Sequence, residues 1–184
     1  MSGPQRMPGD LAGGVAGREP GSEPGSVLRP IAEPDHRFVL DLNEEHVELL
    51  APMGPARLTQ LLGWVDLGSI IEQGGSAAGF VLTMASGTSY DSSNYRWFAQ
   101  RYRSFYYLDR VVLAESARRA GLGTRAYAEI EARAAEVAPV MCLEVNLDPP
   151  NQPSLAFHAR RGYAEVGRAD SNGHVVSLLA KDLR

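Results

Sequence analysis

The sequence predicts an α/β domain in which helices pack against a mixed sheet, and three observations carry that prediction. From Tyr106 onward, strand-like runs alternate with helix-patterned ones: "YYLDRVVL", Leu122 to Ala138, "VMCLEVNL" and Gln152 to Arg161. Such alternation lays helices on a sheet. Upstream, "GSIIEQ" and "AGFVLTM" flank "GGSA" as a hairpin with a glycine turn. At the end, "YAEVGRAD" and "HVVSLLAKDL" close around "SNG", and this second hairpin makes the sheet mixed.

Taken in order, residues 1 to 35 hold half of the 12 prolines, including Pro4, Pro8, Pro20 and Pro24, and no aromatic residue. Such a segment buries too little apolar area to offset its ordering entropy, so a flexible tail is expected there and a single domain over 36 to 184. "FVLDL" is expected as a strand, followed by a helix "NEEHVELLA" capped by Asn43, and a second short helix "PARLTQLLGWV" with Pro55 in its first turn. "SGTSYDSSNYRWFAQRYRSF" is too long for a tight connection, with a helical turn or two expected around Tyr95 to Arg101. The helix after the central strand is well specified: Leu122, Ala126, Ile130, Ala134 and Val137 form one stripe, with Arg125, Glu129 and Arg133 on another face. In the last helix Asn151 is the expected cap, Pro153 sits in the first turn and Gly162 ends it.

Several function classes fall away on composition. A formal net charge of −4 gives no global attraction to nucleic acid or an anionic membrane, so neither is expected as a partner. The aromatic and arginine mixture around Arg96, Arg101 and Arg103 therefore suits a pocket wall better than a nucleic-acid surface, and its arginines are candidates for selecting a carboxylate on the substrate. No apolar run approaches a membrane span, and the single cysteine, Cys142, lies inside a strand pattern where it serves as a small buried hydrophobe. A cytoplasmic setting is expected. The four histidines show no metal-site spacing, and no metal is expected.

The candidate site is "RRAGLGTR", residues 118 to 125, between strand and helix. A helix start offers unpaired N–H groups and the positive end of the helix dipole, two glycines allow close approach, and Arg118 and Arg119 add charge. This is a recipe for a diphosphate, although a solvated arginine pair before a helix has the same appearance. The spacing is not that of a P-loop, and the third glycine and later acidic residue of a dinucleotide fingerprint are missing.

The loop, its helix and strand, and then "NQPSLAFHARRGY", residues 151 to 163, together resemble the GNAT superfamily of acetyl-CoA-dependent N-acetyltransferases. The matching positions are Arg118-Arg119-Ala120-Gly121-Leu122-Gly123, then Asn151, Ser154, His158, Gly162 and Tyr163. The resemblance implies a mostly antiparallel central sheet of about six to seven strands, split at the middle, with about four helices on both faces. It implies acetyl-CoA as cosubstrate: the backbone from Arg118 through Ala120, Gly121, Leu122 and Gly123 to Thr124 on the diphosphate, Val111, Val112 and Leu113 beside the pantetheine arm as though it were an added strand, and Asn151, Ser154 and Phe157 near that arm. His158 stands where many members carry a tyrosine acid, and a packing role is its alternative. Asp109 and Glu144, on the strands that should part, are the candidate bases, with ion pairing as the alternative for each, and Tyr107 is a candidate pocket wall. The implied reaction is direct transfer of an acetyl group to an amine on a small molecule or peptide. A non-catalytic acyl-CoA sensor and an O- or longer-chain acyltransferase are the rival functions. A homodimer is compatible with the family.

Overall fold

A computed structural model describes residues 25–118, 121–171 and 173–184. Its frame is one seven-stranded sheet in the order β1-β2-β3-β4-β5-β7-β6. The strands are β1 Leu28–Pro30, β2 Leu67–Gln73, β3 Ser76–Ala85, β4 Tyr106–Leu113, β5 Val140–Asp148, β6 Ala164–Ser171 and β7 His174–Asp182. The helices are α1 His36–Glu44, α2 Pro55–Leu62, α3 Ser93–Ala99, α4 Leu122–Val137 and α5 Gln152–Arg160. All neighbours are antiparallel except β4 and β5, which run parallel and are therefore joined by a crossover, α4.

Both faces of the sheet are covered. On one face α1, α2 and α3 close a core of Val39, Leu42, Leu58, Leu61, Phe80, Tyr95, Phe98 and Tyr107. On the other, α4 buries Leu122, Ala126, Ile130 and Ala134, the expected stripe, against Val81, Tyr106, Met141 and Leu143. Each large apolar side chain so buried contributes about 1.5–3 kcal/mol. Cys142 is fully buried in β5, as its pattern predicts.

Three expectations need correction at the N-terminal end. The tail expected over 1 to 35 does not extend to Pro34: Val27 is buried, and Leu28–Pro30 pairs with β2 from Ile71 to Ser69. Residues 1 to 24 of that segment lie outside the described residues. "FVLDL" is not a strand but the body of α1, in which Arg37 and Asp41 form an i,i+4 ion pair of 2.6 Å and Phe38, Val39 and Leu42 turn inward at helical spacing. Asn43 is consequently no cap. It is buried in the last turn of α1, where its Nδ2 donates to the Ala51 carbonyl and its Oδ1 accepts from Arg110. The segment after it, expected as a helix, is a series of turns reaching residue 50.

Two features of β4 shape the site. Along β5 it pairs only through Tyr106↔Met141 and Tyr107↔Cys142. Beyond Tyr107 the two strands part, and β5 continues against β7 alone. Along β3, Thr83 pairs with Leu108 and Leu82 with Arg110, so Asp109 is an extra, unpaired residue. A bulge of this kind re-aims side chains. Asp109 and Arg110 therefore both address residues on the α1–α3 side, Tyr90 and Asn43 respectively.

Candidate active site

The gap between β4 and β5 opens into a cavity of about 1150 Å³, larger than the roughly 300–1,000 Å³ of an ordinary ligand pocket. The expected catalytic and cofactor-binding residues that the structure describes line it: Asp109, Glu144 and His158, the strand end Val111 to Leu113, the loop and helix start at Arg118 and Gly121 to Thr124, and Asn151, Ser154 and Phe157. Tyr107, expected as a pocket wall, is instead fully buried and not among the lining residues, and neither is Arg103. Arg119 and Ala120 lie outside the described residues.

One end of the cavity is the mouth of α4. Gly121 is its N-cap, with φ at +74° and no side chain to cap the first turn. An L side chain is strained in that conformation, so the requirement here is for glycine itself. The first-turn amides of an α-helix have no partner within the helix, and these face a cleft into which Arg118 also extends. Arg118 donates to His46 Nε2, on the turns after α1. The exposed main-chain edge of β4 from Leu108 to Leu113 runs toward this mouth. Both suit a ligand with a diphosphate and an amide-bearing arm, the chemistry of coenzyme A.

The floor of the cavity is acidic and tightly bonded. Tyr107 donates its hydroxyl to Glu144 Oε2 at 2.6 Å. Burial pushes Glu144 up to about 7; the charge on Asp109 adds to the rise, while the bond from Tyr107 and the Arg110 charge oppose it. Asp109 accepts from the Tyr90 hydroxyl and pairs with Arg110 at 3.2 Å. Arg110 is buried too, and its guanidinium is shared with Asn43 and the Ala51 carbonyl at 2.8 Å. The ion pair that the sequence offered as an alternative for Asp109 thus exists, whereas Glu144 is bonded to a tyrosine.

His158 is 4 % exposed and engaged at both ring nitrogens. Nδ1 lies 2.8 Å from the Ser154 carbonyl, which can only accept, so the proton is on Nδ1 and Nε2 accepts from the Tyr127 hydroxyl at 2.6 Å. Tyr127, Phe157 and Tyr163 pack edge-on around the ring. Burial pulls the imidazole below its ordinary range. It reaches the cavity as a neutral ring with its hydrogen bonds already used. Asn151 caps α5, accepting from the Ser154 amide at 3.2 Å.

The sequence missed Tyr90, Asn94, Tyr127 and Arg57. Arg57 grips Asp91 through two nitrogens, at 2.9 and 2.6 Å, and lies over Trp64 and Tyr90. Arg101, a candidate for carboxylate selection, instead stacks on Trp97 at 3.9 Å and is not among the cavity-lining residues. Among the described residues, no helix is long and apolar enough to cross a membrane.

Comparison with known proteins places this arrangement. A family model described as acetyltransferase (GNAT) family matches residues 29–163. No curated protein matches the chain. Among solved structures, Ard1 from Thermoplasma volcanium aligns over 84% of this chain and 95% of its own, at 16% identity and a TM-score of 0.67. Chaetomium thermophilum Naa20, in complex with a bisubstrate analogue, aligns over 84% and 85% at 20% identity and a TM-score of 0.66. Arabidopsis thaliana NAA60, also with a bisubstrate analogue, aligns over 84% and 96% at 15% identity and a TM-score of 0.65. These likenesses establish a common fold.

Proposed function

Because the chain belongs to the acetyltransferase (GNAT) family, we propose that it transfers an acetyl group from acetyl-CoA directly to an amine carried by a small molecule or peptide. The observation that carries this reading is a single cavity with unpaired main chain and a glycine-opened helix start along one side, and a carboxyl balanced near neutrality at its floor. The residues present fit coenzyme A. Arg118 and the amides from Gly121 to Thr124 hold its diphosphate, the edge of Val111 to Leu113 takes its pantetheine amides, and Phe157 packs beneath that arm.

The bound thioester supplies an activated acetyl carbonyl. A lysine-like ammonium, with a pKa of about 10.4, is mostly protonated at neutral pH and needs a base before it can attack. Glu144 is that base: its acidity lies near the working pH, where proton transfer is most effective. Burial, with the charge of Asp109 held by Tyr90 and Arg110, keeps the Glu144 pKa raised. Once Glu144 has taken one proton, the nitrogen forms the C–N bond as the C–S bond breaks. A second nitrogen proton ends on the sulfur. A thiol pKa of about 8.5 makes the thiolate a fair leaving group, so little assistance is needed there, and His158, whose two ring nitrogens are engaged by the Ser154 carbonyl and the Tyr127 hydroxyl, packs beside the site rather than donating to the sulfur.

The test is coenzyme A release from acetyl-CoA over a panel of alkyl, aminoglycoside and peptide amines, with calorimetric binding of coenzyme A in parallel. Saturable binding with turnover on at least one amine is expected. Binding without turnover on any of them would make the protein a sensor and overturn the assignment.

A further inference from the structure

Arg110 is 5 % exposed, follows the bulged residue of β4 and lines the cavity. A guanidinium carries five N–H donors and no acceptor. In Arg110 the Nε donor goes to Asp109 at 3.2 Å, and Nη1 donates to Asn43 and to the Ala51 carbonyl. Nη2 finds no partner among the described residues. It is not sealed either: the inaccessible side-chain atoms left without a partner there are His46 Nδ1 and Asn94 Oδ1. Nη2 is thus a bare donor with access to the cavity that Arg110 lines. The reason lies in Asp109. Arginine and carboxylate commonly meet as a two-pronged fork, but Asp109 gives one oxygen to Nε and the other to the Tyr90 hydroxyl, so the second prong stays open.

What closes it best is an anionic oxygen. Nη2 belongs to a cation, its hydrogen bonds are strongest to an ionised acceptor, and the bonds to Asp109, Asn43 and Ala51 fix the guanidinium before any ligand arrives. Glu144 lines the same cavity and, as the base, receives the amine. Together the two complement a molecule that carries an amine and a carboxylate at once. Building on the acetyl-transfer reading, we propose that the acceptor is a free amino acid, whose carboxylate is held by Arg110 Nη2 while its amine is presented to Glu144. Arg110 then determines specificity by binding the part of the acceptor that does not react. A peptide N-terminus has a neutral carbonyl where such an acceptor has its carboxylate, and a simple alkylamine has nothing there. Both leave the charged prong without an ionised partner.

The test pairs acceptors that differ only in that group: glycine with glycinamide, β-alanine with β-alaninamide, and 4-aminobutanoate with 4-aminobutanamide. In the full chain loaded with coenzyme A, where no chemistry occurs, the nitrogen-15 signal of the Arg110 guanidinium should move saturably with at least one carboxylate and not with its carboxamide. With acetyl-CoA, kcat/KM for that carboxylate divided by kcat/KM for its carboxamide should fall about ten-fold or more in Arg110→Lys, which keeps the charge but loses the planar fork. A ratio within one preparation does not depend on how much of it is folded, and differences in amine basicity cancel between the two proteins. A purely structural role for Arg110 would lower both rates and leave the ratio alone. The guanidinium signal is read in wild type, so it decides the matter even where Arg110→Lys does not fold. No movement of that signal with any carboxylate, equal movement with the carboxamide, or an unchanged ratio in Arg110→Lys would each overturn the proposal. If peptide or alkyl amines are turned over while none of these amino acids is, the carboxylate site alone fails; if no amine of any kind is turned over, the acetyl-transfer reading fails with it.

Discussion

A carboxylic acid with the acidity of Glu144, about 7, is half protonated at neutral pH, and this single property links rate to stability. As the base must be ionised, turnover should rise as pH increases through about 7. Glu144→Gln should lose that limb and about 10²–10⁴-fold in rate, measured as a pH profile of coenzyme A release at saturating acetyl-CoA. The same shift acts on folding with a definite sign. The folded chain keeps the proton up to about 7, while the unfolded chain releases it near 4.5, so the folded state binds more protons in that window and stability falls as pH rises across it. Melting curves of Glu144→Gln should therefore lose less stability than wild type between the two limits. Glu144 and Asp109 were legible because strands flanking a glycine-opened helix must converge on whatever that helix binds. Asn94, Tyr90 and Arg57 were not, since they arrive from α2, α3 and the approach to α3, and nothing in their spacing reveals which helix end meets the floor. Arg110 and Asn43 were hidden for a similar reason: a buried arginine shared with an asparagine 67 positions away leaves no local pattern.

At the level of elements, legibility followed the strength of periodicity. α4 carries a stripe four turns long and a glycine start, and its predicted span of Leu122 to Ala138 differs from the observed Leu122–Val137 by one residue. α1 failed because "FVLDL" is too short to separate period 2 from period 3.6 by apolar residues alone; the decisive cue was the Arg37–Asp41 pair four residues apart. Leu28–Pro30 went unseen because a three-residue strand inside a proline-rich stretch draws its order from pairing with β2 and from nothing local. The start of α4 also makes a sharp prediction. Gly121→Ala forces a Cβ into left-handed backbone, costing about 1–2 kcal/mol, and should lower the melting temperature and weaken coenzyme A binding together. Conversely, a Cβ at Gly123 meets Leu113 at 3.4 Å, ordinary contact, so Gly123→Ala should fold normally and any loss there should appear in coenzyme A titration alone.

On the scale of the whole molecule, the sheet is two blocks, β1 to β4 and β5 to β6, joined across the middle by two residue pairs. A ligand arm lying in the gap would stitch them together. Coenzyme A at about a hundred times its Kd should stabilise the fold by about 2.7 kcal/mol and raise Tm by roughly 5–10 °C; an unchanged melting curve at that saturation would contradict binding in the gap. The division of labour across this sheet also depends on one supernumerary amino acid. Without the doubled step at Asp109, everything from Arg110 to Leu113 would rotate by half a pleat, swapping the sides that Val111 and Val112 present. Asp109, whose charge helps keep the Glu144 pKa raised, and the rail along which the thioester arm is laid would then compete for the same surface. A one-residue deletion at that point should thus erase both halves of the reaction while leaving the hydrophobic composition of the strand untouched.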